Sequence, residues 1–500
     1  MPRETPAAER PAGPRLETGV PMANNDQLKH DIDEFVERVW PEVLEDIAEL
    51  VSHRSVEELD QASEGAPWGP GPREALDEAL CIADRVGLAA HDCEGYIGYA
   101  DLPGRSPKQI ATIAHVDVVP EGPGWHTDPY EMVRRDGWLL GRGVIDDKGP
   151  AVLSLHAARF FAERVEATGE PLPYTLRVLL GANEETNMGD VDWYLEHYEQ
   201  PTFLFTPDAE FPVCCGEKGN YSATFTSRPI SGPVEGSVIA DIDGGTASNA
   251  IPGLAHADVR AELEGLPEAE GIELAPVDGQ GQLVRVTAHG IGGHASLPEG
   301  TKNAIGMLCA YLLENGLCSE AERTFLELEA RIHASTDGSA VGIDATDDVF
   351  EPLTFVGGTI RMTADGRLVQ SVDARYPKST TAEAITERLG ALADEYGCTY
   401  EVQRSMVPFY VDPSSPEIQT LVRCYNEYTG LDTKPFTIGG GTYARHFANA
   451  ASFGPEDPKM PTPEWVGQMH GPDEGAKVEQ LRQALKIYIY AIAELMQLDL

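Results

Sequence analysis

The sequence predicts an α/β protein in which one domain is split by an inserted α+β domain. Three observations lead to this prediction. Strand-like apolar runs alternate with helix-like segments, which is typical of a mixed, largely parallel sheet flanked by helices; the runs lie at 109–114, 175–181 and 202–206. Past Cys215 the pattern changes to alternating apolar and polar residues, as in antiparallel strands. Clusters of glycine, histidine and acidic residues resume only near the C-terminus, so the first domain is predicted to close there.

The domain boundaries follow from these changes in pattern. We expect residues 27–215 and 407–500 to form the split domain and residues 216–406 to form the insert. Residues 1–26 are rich in proline and contain no apolar run. They therefore predict a disordered N-terminal extension and not a signal peptide.

Helices are predicted around the first strands. From 27 to 52, apolar residues recur at every third or fourth position, the period of one buried helix face, and Pro41 predicts a kink or a break there. The glycines and prolines of 55–72 indicate a loop. Further helices are expected at about 73–90 and 150–167.

Composition excludes several classes of protein. The 500 residues carry a formal net charge of -45, which opposes binding to nucleic acid and to anionic membrane surfaces. No run of ~18 or more apolar residues is present, so no membrane span is predicted. The eight cysteines are scattered without a C-x-x-C spacing, which indicates reduced thiols and a cytoplasmic protein.

The most informative stretch is G-R-G-V-I-D-D-K-G-P at 141–150. Its adjacent acids, Asp146 and Asp147, repel each other unless a positive group holds them, and a metal ion is the simplest such group. Four other segments end an apolar run with ligand-type residues: A-H-V-D-V-V-P at 114–120, N-E-E-T at 183–186, P-D-A-E at 207–210 and M-H-G-P-D-E at 469–474. We expect the fold to bring these five segments together around two metal ions.

Spacing suggests different roles within these segments. His115 and Asp117 are two positions apart in a strand and face the same side, so Asp117 can orient the imidazole. A lone histidine at a strand end is more often structural, but the H-x-D spacing and the other clusters favour a ligand. Glu184 and Glu185 are adjacent and should diverge, one towards the metal and its neighbour towards the water that loses a proton.

The ligand chemistry favours zinc. Two histidines, His115 and His470, with three carboxylates, Asp208 among them, form a sensible set for two ions ~3.5–4 Å apart. Imidazole and carboxylate without thiolate favour zinc, with manganese and cobalt as alternatives. A water between such ions becomes a nucleophile near neutral pH, and Glu184 would take its proton and pass it to a leaving amine.

The order of these motifs resembles the M20 family of metallopeptidases, and within it the PepV-type bacterial dipeptidases. The resemblance extends from about residue 27 to the C-terminus and includes I-G-G-G-T-Y-A-R at 438–445 and I-G-G-H-A-S-L-P-E-G at 291–300. It implies a split catalytic domain like that of the binuclear zinc aminopeptidases, with an inserted α+β lid domain. It also implies two Zn²⁺ per chain.

The resemblance assigns residues to roles. Five would hold zinc: Asp146 as the bridging carboxylate, His115 and Asp208 on one ion, and Glu185 and His470 on the other. Glu184 would be the general base and Asp117 would position His115. His294 would donate a hydrogen bond to the oxyanion. Five more match positions that bind the substrate carbonyl or terminal carboxylate: Asn249, Arg375, Gly440, Gly441 and Thr442.

The resulting hypothesis is a cytoplasmic, dizinc-dependent dipeptidase that acts on small peptides. The long lid resembles one that imitates a partner subunit, which implies an active monomer. The alternative is an N-acyl-amino-acid deacylase or desuccinylase with the same chemistry, distinguished by whether the substrate needs a free ammonium. A non-catalytic protein on the same fold predicts loss of the base or of a ligand, and none is lost.

Overall fold

The structure is a computed structural model that describes residues 25–277, 282–457 and 459–500. It has the predicted mixed α/β architecture. An N-terminal extension was expected at residues 1–26. Residues 1–24 lie outside the described residues, and α1 begins at Asn25. Among the helices of the described residues, none combines the length and the apolar character needed to cross a membrane.

The helices are, in chain order, α1 (Asn25–Val51), α2 (Pro70–Arg85), α3 (Lys148–Thr168), α4 (Gly189–His197), α5 (Ala304–Glu314), α6 (Glu320–Ile332), α7 (Ala382–Glu395), α8 (Pro416–Thr429) and α9 (Val478–Leu495).

The strands are, in chain order, β1 (Ala89–Cys93), β2 (Ile97–Leu102), β3 (Gly104–His115), β4 (Val133–Arg135), β5 (Trp138–Leu140), β6 (Leu172–Gly181), β7 (Phe203–Thr206), β8 (Cys214–Glu217), β9 (Gly219–Thr226), β10 (Ile239–Gly244), β11 (Ala250–Ile251), β12 (Leu254–Val259), β13 (Ile272–Pro276), β14 (Val284–His289), β15 (Gly293–His294), β16 (Thr354–Met362), β17 (Leu368–Tyr376), β18 (Thr399–Met406), β19 (Phe409–Tyr410), β20 (Phe436–Ile438), β21 (Ala450–Ser452) and β22 (Gly475–Lys477).

In the described residues, strands from the N-terminal and the C-terminal parts of the sequence form one nine-stranded sheet. Its order is β1-β2-β6-β3-β7-β21-β8-β19, with β20 beside β8. The central strands β6, β3, β7 and β21 are parallel, whereas β1, β2 and β19 are antiparallel to their neighbours. The last six residues of β3 and of β6 are buried, since helices such as α1, α3 and α9 share a core with this sheet. The three predicted strands are confirmed.

Two local predictions differ from the structure. Of the two alternatives predicted at Pro41, a kink or a break, the break is wrong, because α1 runs without interruption from Asn25 to Val51. Pro41 and Glu37, whose carbonyl loses its helical partner, both lie on the exposed face, where water can solvate that carbonyl. The helix expected to reach residue 90 ends at Arg85, and β1 and β2, which follow it, were not predicted.

A second, eight-stranded antiparallel sheet is formed by residues between β8 and β19. Its order is β13-β14-β12-β10-β16-β17-β9-β18. In β9 buried residues alternate with partly exposed ones, the pattern of a sheet with a single core face. Helices α5, α6 and α7 share that core with it. The first sheet continues through β8 to Glu217, two residues past the expected boundary at 215.

Candidate metal centre and active site

Three neighbouring parallel strands end in ligand-type residues. His115 is the last residue of β3, Glu184 and Glu185 follow β6, and Asp208 follows β7. Because β6, β3 and β7 are adjacent and parallel, their carboxyl ends meet at one edge of the sheet. This topology is why residues distant in sequence can form one site.

The turn that carries Asp146 is held by a segment from the far end of the chain. The guanidinium of Arg142 donates from Nη1 to Oε2 of Glu474, 2.5 Å away, and both side chains are buried. Oε1 of Glu474 accepts hydrogen bonds from the N–H groups of Gly143 and Ile145. Arg142 Nη2 also donates to the carbonyl oxygen of His470 at 3.2 Å. One buried ion pair therefore fixes the Asp146 turn and the His470 loop relative to each other.

The predicted ligands form two groups that share Asp146. In the first, Nε2 of His115 lies 3.1 Å from Oδ1 of Asp146 and 3.8 Å from Oδ2 of Asp208. In the second, Nε2 of His470 lies 2.8 Å from Oδ2 of Asp146 and 3.2 Å from Oε2 of Glu185. Within each group the ligand atoms lie within 4.8 Å of one another. The peptide bond between Asp146 and Asp147 is cis.

The electrostatics of both groups fit divalent cations. Burial and repulsion from Asp146 raise the pKa of Asp208 to about 7. In the second group, burial and repulsion from Asp146 raise the pKa of Glu185. Crowded carboxylates are destabilised as anions unless cations compensate them. Imidazole with carboxylate oxygen is a donor set suited to zinc, manganese or cobalt, so the residues present fit such an ion in each group.

Asp117 connects the two sides of the centre. Its carboxylate accepts hydrogen bonds from the backbone N–H groups of Glu184 and Glu185, both at 3.1 Å. Nδ1 of His115 lies 3.0 Å from the carbonyl oxygen of Asp117 and 3.4 Å from Oδ1. Asp117 therefore positions the histidine and the glutamate pair together, whereas the sequence predicted only its effect on the histidine.

Most of the predicted residues line one cavity of about 340 Å³ between the two sheets. Asp146, Glu184, Glu185, Asp208 and His470 contribute from the first sheet and its loops. The predicted substrate residues also line this cavity: Asn249, His294, Arg375, Gly440, Gly441 and Thr442. His115 and Asp117 are fully buried behind the wall. The structure thus brings all thirteen predicted residues to one region.

The residues of the insert reach the cavity from the short strand β15, from the turn before β11 and from the long strand β17. His294 lies in β15, paired with Ala250, which directly follows Asn249. Nδ1 of His294 lies 2.7 Å from Oγ of Ser296, so Nε2 is the ring atom left for a ligand. The Arg375 guanidinium donates from Nε and Nη2 to Asp373, at 2.7 and 3.2 Å, and from Nη1 to the carbonyl of Gly439 at 3.3 Å.

The glycine-rich loop 439–441 packs against the insert. A Cβ on Gly439 would lie 2.7 Å from Cβ of Ser296, and one on Gly441 would lie 2.4 Å from Nη1 of Arg445. Glycine therefore permits the close approach that both contacts require. The Thr442 hydroxyl and N–H both donate to Oε1 of Glu217, at 2.7 and 3.1 Å. Thr442 anchors the loop in this way, whereas its hydroxyl was expected to serve a ligand.

Other residues that line the cavity were missed by the sequence analysis. Arg404, Arg445, Asn220 and Glu456 contribute to the wall. Arg445 lies in the quoted I-G-G-G-T-Y-A-R motif, and the alternation of β9 indicated which of its residues leave the core. The sequence did not indicate Arg404 as a cavity residue. The side of the sheet that Arg404 faces depends on how β18 pairs with β9.

Two imidazole–carboxylate groups at the carboxyl edge of a parallel sheet, beside a buried glutamate and under an inserted domain, define a metal-dependent hydrolase. The sequence model of Peptidase family M20/M25/M40 matches residues 111–494, and the chain belongs to that family. The chain is therefore a metallopeptidase, as the sequence predicted.

Comparisons with individual proteins agree with this assignment. The chain is 30% identical over 479 residues to the Beta-Ala-Xaa dipeptidase of Lactobacillus delbrueckii subsp. lactis, covering 92% of this chain and 97% of that protein. Human carnosine dipeptidase 1 has a similar fold, with a TM-score of 0.59 and 15% identity over 94% of this chain and 99% of that one. The aminoacylhistidine dipeptidase of Vibrio alginolyticus gives a TM-score of 0.51 at 14% identity, over 91% and 96%.

Proposed function

We propose that this protein is a dizinc-dependent dipeptidase that hydrolyses the peptide bond of short peptides. The observation that carries the proposal is the charge distribution of the cavity. The carboxylates of the two ligand groups come from the first sheet and its loops, whereas Arg375 and Arg404 come from β17 and β18 of the second sheet, and Arg445 also lines the cavity. A dipeptide zwitterion matches this pattern, with its amino end near the acids and its carboxylate near the arginines. A cavity of about 340 Å³ suits a small substrate.

The relatives support the same substrate class. The Lactobacillus protein is named for dipeptides with an N-terminal β-alanine. Two of the similar folds belong to proteins named as dipeptidases of carnosine and of aminoacylhistidine. We therefore favour dipeptides over N-acyl amino acids for this chain.

In this proposal the two groups each hold one Zn²⁺, with Asp146 shared between them. Zinc bound there supplies Lewis acidity at the scissile carbonyl and a water acidic enough to ionise near neutral pH. Asp117 keeps His115 and the Glu184–Glu185 backbone in position, as its hydrogen bonds indicate.

The proton transfers fall to Glu184. Its carboxylate lines the cavity and belongs to neither ligand group. Burial and the charge of Asp208 raise its pKa. A carboxylate at this position can accept a proton and pass it on. It takes the proton from the attacking water and delivers it to the leaving amine. Nε2 of His294 donates a hydrogen bond to the oxyanion that forms at the carbonyl.

The remaining cavity residues would bind the substrate ends. In the described part of the chain, the N–H groups of Gly440 and Gly441 make no hydrogen bond, so both can donate to a carboxylate. Arg375 and Asn249 complete that end of the site. Residues 27–215 and 407–500 would form the catalytic domain and residues 216–406 the lid.

The setting of the enzyme is a further part of the proposal. All eight cysteines are free, which supports a reducing, cytoplasmic environment. The large lid sheet provides the residues that face the metal centre within one chain, which supports an active monomer.

The test is a pair of matched substrates. L-alanyl-L-alanine keeps the free ammonium, and N-acetyl-L-alanine lacks it. We expect metal-dependent hydrolysis of the first and at least about tenfold slower hydrolysis of the second. Activity confined to acetyl or succinyl substrates would overturn the dipeptidase in favour of a deacylase, and no hydrolysis of either by zinc-loaded protein would overturn both.

A further inference from the structure

Arg404 lies on the cavity face of the lid sheet. In β17, β9 and β18, Asp373, Ser222 and Arg404 are aligned across the strands, and the next cavity-facing row is Arg375, Asn220 and Met406. Tyr221, between the two rows, points into the lid core. Because aligned residues of antiparallel strands face the same side, Arg404 faces the cavity with Arg375.

The register also fixes how far apart the two arginines begin. Across the sheet, Arg375 and Arg404 are two strand spacings apart, about 10 Å. Along the strand direction they are offset by two residues, about 7 Å. Both long side chains reach the same cavity from these positions. They can therefore contact two different groups of one small ligand.

The three guanidiniums in the wall differ in their partners. Arg375 is held by both carboxylate oxygens of Asp373. Arg445 lies 3.7 Å from Oε2 of Glu217 and donates to the carbonyls of Lys218 and Val407. Among the described residues, the Arg404 side chain has no hydrogen-bond or ion-pair partner. Of the three guanidiniums, that of Arg404 is therefore the unpaired one.

Arg375, Arg404 and Arg445 line the same cavity, and the first two act on the third. Burial lowers the pKa of Arg445, and the charges of Arg375 and Arg404 lower it further, against the opposing effect of Glu217. A cluster of this kind is stabilised when an anion enters it.

We propose that Arg404 is a specificity-determining residue that binds a second carboxylate, the side chain of an acidic residue at the C-terminal position of the dipeptide. This inference rests on the proposed dipeptidase function. The α-carboxylate is taken by Arg375 and the glycine-loop N–H groups, which adjoin each other through the Arg375 to Gly439 hydrogen bond. Arg404 lies two strands away from Arg375 in the same sheet and offers an unpaired guanidinium, whose planar donors match a carboxylate.

The test compares L-alanyl-L-glutamate with L-alanyl-L-glutamine, which differ only in the side-chain charge. We expect the wild-type enzyme to show a kcat/KM about tenfold or more higher for the glutamate substrate. In Arg404→Gln the glutamate substrate should lose about that factor, while the glutamine substrate changes less than about twofold. The matched control is Arg367→Gln, which removes a partly exposed arginine of the same domain that pairs with Asp365, and this variant should behave as wild type.

The outcomes separate the inference from the proposed function. Hydrolysis of both substrates without a preference for glutamate overturns the role of Arg404 and leaves the dipeptidase standing. Equal losses on both substrates in Arg404→Gln also overturn it, because the arginine would then bind the α-carboxylate. If Arg404→Gln does not fold, Arg404→Lys replaces it, because lysine keeps the charge but loses the planar fork. An unchanged preference for glutamate together with unchanged KM values in Arg404→Lys would count against the inference. No hydrolysis of any dipeptide overturns the proposed function itself.

Discussion

Nε2 of His470 lies 2.8 Å from Oδ2 of Asp146, although the two residues stand far apart in the sequence. The His470 side chain is 53% exposed, whereas that of Asp146 is 8% exposed. The second ligand group is therefore completed by a loop at the rim of the cavity, and the first group by residues from its floor.

This difference predicts that replacing different metal-binding side chains will have unequal effects on metal content. His470→Ala should lose the ion of the second group and retain that of the first, because His115 and Asp208 still face Asp146. Asp146→Ala should lose both ions. Metal content of the purified variants, measured by mass spectrometry, checks this, and a His470→Ala protein with full metal content would show that His470 is not a ligand.

Glu184 and Glu185 should differ although they are adjacent. Glu184→Gln is expected to lower kcat by about 10²–10⁴ while the protein keeps its metal, because only the proton acceptor is lost. Glu185→Gln should instead lower metal content. Steady-state kinetics and metal analysis on both variants make the comparison, and a Glu184→Gln enzyme with wild-type kcat would refute the assignment of the base.

His294 should act on kcat more than on KM. Replacing it with alanine removes a donor to the transition state, for which we expect a loss of about 10²–10³ in kcat. Ser296→Ala is the control, because it removes the hydroxyl contact to Nδ1 but keeps the Ser296 N–H that donates to the same atom, and it should have a much smaller effect. If the alanine variants of His294 and Ser296 changed KM by the same factor and left kcat unaltered, His294 would bind substrate in the ground state only.

Asp190 should make stability depend on pH. Its carboxyl accepts hydrogen bonds from the Tyr443 hydroxyl and from the N–H groups of Ala182 and Asn183. Burial and the charge of Asp117 nonetheless raise its pKa to about 6, from 3.8. The folded state then binds more protons than the unfolded state between these values, so Asp190 stabilises the fold below pH ~4 and this contribution is lost as pH rises through about 6.

The measurement is urea unfolding of wild type and Asp190→Asn at pH 4.5 and pH 8. The free energy of unfolding of wild type, relative to the variant, should fall by about 2 kcal/mol between the two pH values. Both proteins are measured after metal removal, so that metal binding does not contribute to the difference. A difference that rises with pH would contradict the raised pKa.

Much of the metal centre could be predicted from sequence because its residues end apolar strands. The H-x-D spacing of His115 and Asp117, and the acids that follow β6 and β7, are local patterns that fix which side chains meet at a sheet edge. The order of those motifs then indicated the family.

The contacts that hold the centre together were not predictable in the same way. The Arg142–Glu474 pair joins residues 332 positions apart, and the Thr442–Glu217 hydrogen bonds join residues 225 positions apart. Arg142, Glu474 and Thr442 lie in motifs that the sequence marks, but nothing in the local sequence indicates which residue each one contacts. Arg404 was missed for a related reason, since the facing of a residue in β18 is set by its register with β9.

The most direct test of the central claim is to measure metal content and hydrolysis of L-alanyl-L-alanine on the same protein, before and after chelation and zinc addition. We predict two ions per chain, activity lost with the metal and restored with zinc, and neither metal nor activity in Asp146→Ala. Hydrolysis that survives complete metal removal, or an Asp146→Ala protein that keeps both ions, would contradict the shared carboxylate on which the site is built.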